Sequence, residues 1–97
     1  MTSALAPEVA VVVPAAVREF CDGRAELRLV GGDVRALLAE LGRVHPEVHR
    51  RLCDERGDPR LHISVFVNED HVRALRGLDT ELTAGDVVSI LPAVSGG

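Results

Sequence analysis

The sequence contains no lysine, because all eleven of its basic residues are arginines. The chain therefore has no side-chain amine to be acylated, and it can neither receive a lysine-linked modifier nor form lysine-linked chains of itself. Aromatic residues are nearly absent too, since Phe20 and Phe66 are the only two. With 46% of its residues hydrophobic, the chain is expected to form one domain with an aliphatic core of Val, Leu, Ile and Ala.

Other shortages exclude classes of partner. No apolar run approaches the roughly 20 residues of a transmembrane helix, so no membrane contact is expected. The net charge is −4, whereas nucleic-acid-binding surfaces are basic, so no nucleic-acid partner is expected. The segment Met1–Pro7 lacks the basic region that begins a secretory signal. We therefore expect a cytoplasmic protein.

Few residues have the spacing of a metal or catalytic site. Cys21 and Cys53 show neither CxxC nor zinc-ligand spacing and are expected to be reduced thiols. Cys53 is expected to be a small buried or half-buried residue rather than a sulfur relay. His45 and His49 are four residues apart, but Pro46 lies between them and no third ligand is evident, so no metal site is predicted. The polar segment 68–71 is interpreted as a solvated turn.

The first third of the chain is typical of two strands. The β-branched segment Glu8–Val13 ends at Pro14 and is apolar enough for a central strand. After an irregular segment and an Asp-Gly turn, Arg24–Val30 alternates between polar and apolar residues. This alternation directs three side chains to the core: Ala25, Leu27 and Leu29. An antiparallel hairpin is predicted.

A helix follows the hairpin. Asp33 is a credible N-cap, and the next apolar residues have helical spacing with one buried stripe: Val34, Leu37, Leu38, Leu41 and Val44. Pro46–Cys53 is predicted to form a second short helix, with Pro46 at its first position and Val48 and Leu52 facing inward.

The second half of the chain is predicted to complete the sheet. Leu61–Asn68 alternates, with Leu61, Ile63, Val65 and Val67 on one face and Phe66 on the other. A short strand is expected near Val72, and the last strand is Val87–Leu91. The order β-β-α-(short helix)-β-(short β)-β predicts an α+β, ubiquitin-like β-grasp domain, in which four to five strands of a mixed sheet pack on one main helix. Residues 1–91 are expected to form this domain, with a flexible lead-in at 1–7, and residues 92–97 are expected to form an extended tail.

The C-terminal segment carries a more specific signal. Asp86–Gly97, with the sequence DVVSILPAVSGG, resembles the end of the ThiS/MoaD family of sulfur carrier proteins, which have a strand, a proline, a small apolar stretch and a final Gly-Gly. Two further features resemble that family: the strand and turn at Phe66–Asp70, and the Gly85-Asp86 pair. The resemblance covers roughly residues 8–97 and is closer to the MoaD-like and CysO-like carriers than to the shorter ThiS proteins. Ser95 stands where alanine is more common.

The resemblance implies a function for the tail. The carboxylate of Gly97, next to Gly96, would be adenylated and converted to a thiocarboxylate that donates sulfur for cysteine, thiamin-thiazole or natural-product biosynthesis. The chain would be a protein co-substrate rather than an enzyme. It would hold no permanent cofactor, and ATP would be used by an E1-like, MoeB/ThiF-type adenylating enzyme. The acceptor would be a cysteine synthase-like or thiazole synthase-like enzyme, or the large subunit of molybdopterin synthase.

Partner binding is predicted at the root of the tail. Phe66 and Leu91 are expected to share the sheet face that points away from the helix, where they would form an apolar contact patch. The tail itself is expected to enter the partner's active site, which adds four residues to the predicted interface: Pro92, Ala93, Val94 and Ser95.

Three alternatives remain open from the sequence. The chain could be the small subunit of molybdopterin synthase, which uses the same tail chemistry inside a permanent enzyme complex. It could be a ubiquitin-like modifier that is joined to lysines of other proteins. It could also be a β-grasp adaptor with an incidental Gly-Gly ending.

Overall fold

The first two strands form the predicted hairpin in the computed structural model, which describes residues 6–92. β1 (Glu8–Val12) pairs antiparallel with β2 (Glu26–Val30), and Val11 lies opposite Leu27. The connection is not irregular as predicted, because Ala15–Cys21 forms a 3-10 helix that buries Val17 and Cys21. β2 begins only at Glu26, so Ala25 is exposed and the prediction that it faces the core is wrong.

Both predicted helices are present. α1 (Val34–Val44) is capped by Asp33, whose Oδ1 accepts a hydrogen bond from the Ala36 N–H at 2.8 Å. The helix buries the predicted stripe up to Leu41, but Val44 is 41% exposed. Val44 is the last residue of α1, and α2 (Pro46–Leu52) begins only two residues later, so no further turn of α1 covers the Val44 side chain. α2 buries Val48 and Leu52, as predicted.

The remaining strands are shorter than predicted or displaced. β3 (Ile63–Val67) starts two residues late, because Leu61 and His62 form a turn in which Leu61 is fully exposed. The short strand β4 (Asp70–His71) precedes Val72, which begins a 3-10 helix instead. β5 (Val87–Pro92) includes Pro92, one residue beyond its predicted end. A proline is tolerated there because it is the last residue of the strand.

The sheet has the strand order β2-β1-β5-β3-β4. β5 runs parallel to β1 and antiparallel to β3, so the last strand lies in the centre of the sheet. α1 packs against the sheet, and Val9, Val11, Val88 and Ile90 are almost completely buried. The predicted α+β, ubiquitin-like β-grasp fold is confirmed, and it directs the end of β5 to one end of the sheet.

Candidate functional site at the end of the last strand

The last strand delivers the chain to the predicted site. Val88 and Ile90 are buried in the core, whereas Leu91 and Pro92 are exposed at the end of the sheet. Pro92 is the last residue that the structure describes. The predicted tail residues lie beyond it, so the roles assigned to them stay predictions: Ala93, Val94, Ser95, Gly96 and Gly97.

Phe66 and Leu91 lie on the same face of the sheet. In the β3–β5 ladder, Phe66 is opposite Ser89 and Leu91 is opposite Ser64, which makes Phe66 and Leu91 diagonal neighbours. This face points away from the core, because the alternate residue Val65 is buried. Leu91 is 40% exposed, and Phe66 is half-buried. We call this surface the outer patch (Ser64, Phe66, His71, Ser89 and Leu91); partner binding at the patch stays a prediction.

His71 belongs to the outer patch, which the sequence reasoning missed. Its ring meets Phe66 edge-on, with centroids 5.1 Å apart and planes at 72°. Its Nδ1 accepts a hydrogen bond from the Arg73 N–H at 3.0 Å. The contact between the two rings accounts for part of the burial of Phe66. The only signal in the sequence was the position of β4, which was predicted too late in the chain.

Asn68 connects the β3–β4 turn to the beginning of β5. Its φ is 56°, in the left-handed region. The Asn68 N–H donates to the Val87 carbonyl at 2.7 Å, and the Val87 N–H donates to Asn68 Oδ1 at 3.0 Å. Asn68 Nδ2 donates to Asp86 Oδ1 at 3.1 Å. Residues 68–70 are exposed, as predicted for a solvated turn, and Asn68 in addition holds the beginning of β5 in place.

Asp86 connects Asn68 to the turn before β5. Its Oδ2 accepts hydrogen bonds from the Thr83 N–H at 2.8 Å and from the Thr83 hydroxyl at 3.3 Å. The Thr83 N–H, followed by the Asn68 amide, lowers the pKa of Asp86 below the ordinary aspartate value. The carboxylate therefore stays charged and holds the turn before β5.

The cysteines and histidines form neither a reactive-thiol site nor a metal site in the described part of the chain. Cys53 is buried, and burial raises the pKa of its thiol to about 11. A protonated thiol is a poor nucleophile, which agrees with a packing role. Among residues 6–92, no three His, Cys, Asp or Glu side chains lie close enough to hold a metal ion. The helices within this range include none that is long and apolar enough to cross a membrane.

Comparisons with known proteins place these features in a family. The ThiS family model matches residues 11–97. The sulfur carrier protein CysO of Mycobacterium tuberculosis is 33% identical over 91 residues, which cover 92% of this chain and 98% of that protein.

Two solved structures have a similar fold. A chain of the crystal structure of the Amycolatopsis orientalis BexX/CysO complex has a TM-score of 0.80 and 32% identity, covering 92% of this chain and 99% of that chain. Small archaeal modifier protein 1 of Methanosarcina acetivorans has a TM-score of 0.79 and 33% identity, covering 98% of this chain and 100% of that chain. The family match reaches the final Gly-Gly and the fold is shared, and the chain therefore belongs to the ThiS family.

Proposed function

We propose that this chain is a sulfur carrier protein whose reacting group is the C-terminal carboxylate of Gly97. The observation that carries the proposal is the family match, which extends over the tail to Gly97 and is joined by relatives named as sulfur carriers. The central position of β5 supports it, because a strand held on both sides provides a rigid base for the residues that follow.

The carboxylate must be activated before it can carry sulfur. A C-terminal carboxyl has a pKa of about 3.3–3.7, so it is ionised at neutral pH and is a poor electrophile. Attack of a Gly97 oxygen on the α-phosphate of ATP releases pyrophosphate and forms an acyl-adenylate. A sulfur donor at the oxidation level of sulfide then attacks the carbonyl carbon, AMP leaves, and the product is the Gly97 thiocarboxylate. ATP is bound by the activating enzyme.

Glycine suits the tip because it has no Cβ. Gly96 and Gly97 can adopt backbone conformations closed to other residues and can pass through a narrow channel. At ~3.3–3.6 Å per residue, the segment 92–97 spans at most roughly 20 Å. A partner must therefore bind close to Pro92 for its active site to reach the tip.

The proposed partners are enzymes, and this chain is their co-substrate. An E1-like, MoeB/ThiF-type enzyme charges the tail and contacts the outer patch, where Phe66 and Leu91 offer apolar surface. A cysteine synthase-like, thiazole synthase-like or other sulfur-accepting enzyme then consumes the thiocarboxylate. Since charging requires ATP, we place the protein in the cytoplasm.

Intact-mass spectrometry tests the proposal directly. The protein is produced together with its activating enzyme and incubated with ATP and sulfide. We expect a mass gain that corresponds to the replacement of one oxygen by sulfur. Deletion of Gly97, or Gly97→Val, is expected to abolish the gain. The control Gly32→Ala should be charged normally, because an added Cβ there meets no atom within 4 Å. No sulfur uptake with any activating enzyme would contradict the proposal.

A second candidate function is conjugation to other proteins. It is favoured by the similarity to small archaeal modifier protein 1. In that case the activated Gly97 carboxyl would form an isopeptide bond with lysines of targets, and never with lysines of its own chain, which has none. Adducts that retain Gly97 on other proteins would identify this function. Stable co-purification with a large subunit would instead indicate the small subunit of molybdopterin synthase.

A further inference from the structure

A groove of about 250 Å³ lies beside Pro92 at the root of the tail. Its apolar wall comes from the 3-10 helix, α2 and β3, and its rim carries Arg51 and His62. We call it the root groove; its lining residues are Pro14, Ala16, Val17, Arg51, Leu52, His62, Ile63 and Pro92. Small-molecule sites usually measure ~300–1,000 Å³, so the groove is better suited to one or two side chains of a protein.

The root groove and the outer patch lie on opposite faces of the sheet. Ile63 and Pro92 are paired in the β3–β5 ladder and alternate with Ser64 and Leu91. Since neighbouring residues of a strand point to opposite faces, Ile63 and Pro92 belong to the face that carries the helices. The segment of a partner that occupies the groove therefore does not touch the outer patch.

Arg51 is held in place at the rim. Its Nε donates to Glu47 Oε2 at 2.9 Å, and its guanidinium carbon lies 4.2 Å from the centroid of the Phe20 ring. The terminal nitrogens of Arg51 have no hydrogen-bond acceptor among residues 6–92, although the side chain is 50% exposed. Because the guanidinium is held in place and its terminal N–H groups are free within the described residues, it can bind a carboxylate of a partner.

His62 is presented by a loop that is equally well fixed. The Arg60 guanidinium donates to the Arg50 carbonyl at 3.0 Å, and the Arg60 N–H donates to the Leu52 carbonyl at 3.0 Å. The loop is therefore anchored to the C-terminal end of α2. The apolar wall suits an aliphatic side chain, and the rim with Arg51 and His62 suits a carboxylate. The groove therefore matches a ligand in which these two groups are adjacent.

We propose that the root groove docks a segment of a partner enzyme in which an aliphatic residue stands beside an aspartate or glutamate. The aliphatic side chain packs on the exposed apolar surface of Ala16, Ile63 and Pro92, and the carboxylate pairs with Arg51. This inference rests on the proposed function, because an enzyme that handles the tail has to bind next to Pro92. The enzyme would then contact Arg51, a basic residue of this chain that is separate from the outer patch.

A peptide titration followed by NMR tests the docking site without any enzyme. The probe is acetyl-Gly-Leu-Asp-Leu-Gly-amide at millimolar concentration, added to the isotope-labelled full chain. We expect shifts of the amide signals of Ala16, Arg51 and Ile63, which line the groove and are at least partly exposed. The matched peptide with asparagine in place of aspartate, or the variant Arg51→Gln, should bind about threefold to fivefold more weakly, as for exposed ion pairs.

Arg50→Gln is the matched control. Arg50 also binds Glu47, at 2.8 Å, but it does not line the root groove, so its substitution should leave binding unchanged. Absence of shifts at the groove, or equal binding of both peptides, would overturn the proposal.

Two other occupants would also overturn it. If the groove signals shift with protein concentration alone, the occupant is a second copy of the chain. If they shift when the chain is ended at Pro92, the occupant is the chain's own tail. Charging of Gly97 is measured separately on the same variants, so that failure of the carrier function is distinguished from failure of the docking site.

Discussion

Asn68 joins the β3–β4 turn to the beginning of β5 through its side chain and its left-handed backbone. Asn68→Gly keeps that conformation but loses the two side-chain hydrogen bonds, so we expect it to lower the free energy of unfolding by about 1 kcal/mol. Asn68→Ala adds a left-handed penalty of about 1–2 kcal/mol and should be the less stable variant. Urea denaturation measures both, and equal stability of the two variants would contradict the expected backbone contribution.

Asp86 makes the stability of the fold depend on pH. Its pKa is lowered in the folded state, so its contribution is fully present above the unfolded pKa of about 3.9 and is lost as the pH falls through the lower folded value. We expect Asp86→Asn to lose less unfolding free energy than the natural chain between neutral pH and about pH 3. Glu40, Glu47 and Asp54 also have lowered pKa values, but they are present in both proteins. Parallel pH profiles of the two proteins would contradict the assignment.

The connection between β2 and α1 depends on one of two adjacent glycines. A Cβ added to Gly31 would lie 2.7 Å from backbone atoms of Leu37 in the first part of α1, whereas one added to Gly32 would meet nothing within 4 Å. Gly31→Ala should therefore lower the unfolding free energy by about 2–3 kcal/mol. Gly32→Ala should change it by less than about 0.5 kcal/mol. Urea denaturation of the pair checks the difference, and similar values for both variants would show that α1 can move.

The outer patch is formed by the pairing of β3 with β5 and with β4. At limiting protein concentration, we expect Phe66→Ala or Leu91→Ser to slow formation of the Gly97 thiocarboxylate by about 5-fold to 30-fold, as for buried interface anchors. Val30→Ser is the control, since Val30 is 42% exposed but lies on the edge strand β2. Normal charging of both patch variants would exclude this surface as the contact.

At the scale of the whole molecule, the two thiols report whether the core is closed. Cys21 and Cys53 are each 2% exposed, and burial raises the pKa of Cys53 to about 11. We expect both to react slowly with a thiol reagent in the folded protein and rapidly in urea. A cysteine introduced at exposed Ala39 should react at once and serves as the control. Fast labelling of Cys53 in the folded chain would contradict its packing role.

Local patterns predicted most of the fold. The helix after Asp33, the Pro46 start of α2 and the alternation around Leu27 and Val65 were correct, because spacing along the chain decides which side of an element is apolar. The prediction that Ala25, Val44 and Leu61 face the core was wrong for one reason. Each residue lies at or beyond the end of a helix or strand, where the neighbouring segments decide how exposed a side chain is. The 3-10 helix Ala15–Cys21 was not predicted, because a segment of seven residues between two strands is too short to show a clear helical pattern.

The sequence alone determined an aliphatic core, the order of the elements, the family resemblance and the chemistry available to a terminal Gly-Gly. These follow from composition and from patterns within one segment. Only the tertiary structure decided the strand register that makes Phe66 and Leu91 diagonal neighbours on the face predicted for them. It also decided that Asn68 binds Val87 and Asp86, and that Arg51 and Pro92 line one groove. Each of these pairs is far apart along the chain, so its contact depends on strand register and packing, which no local pattern specifies.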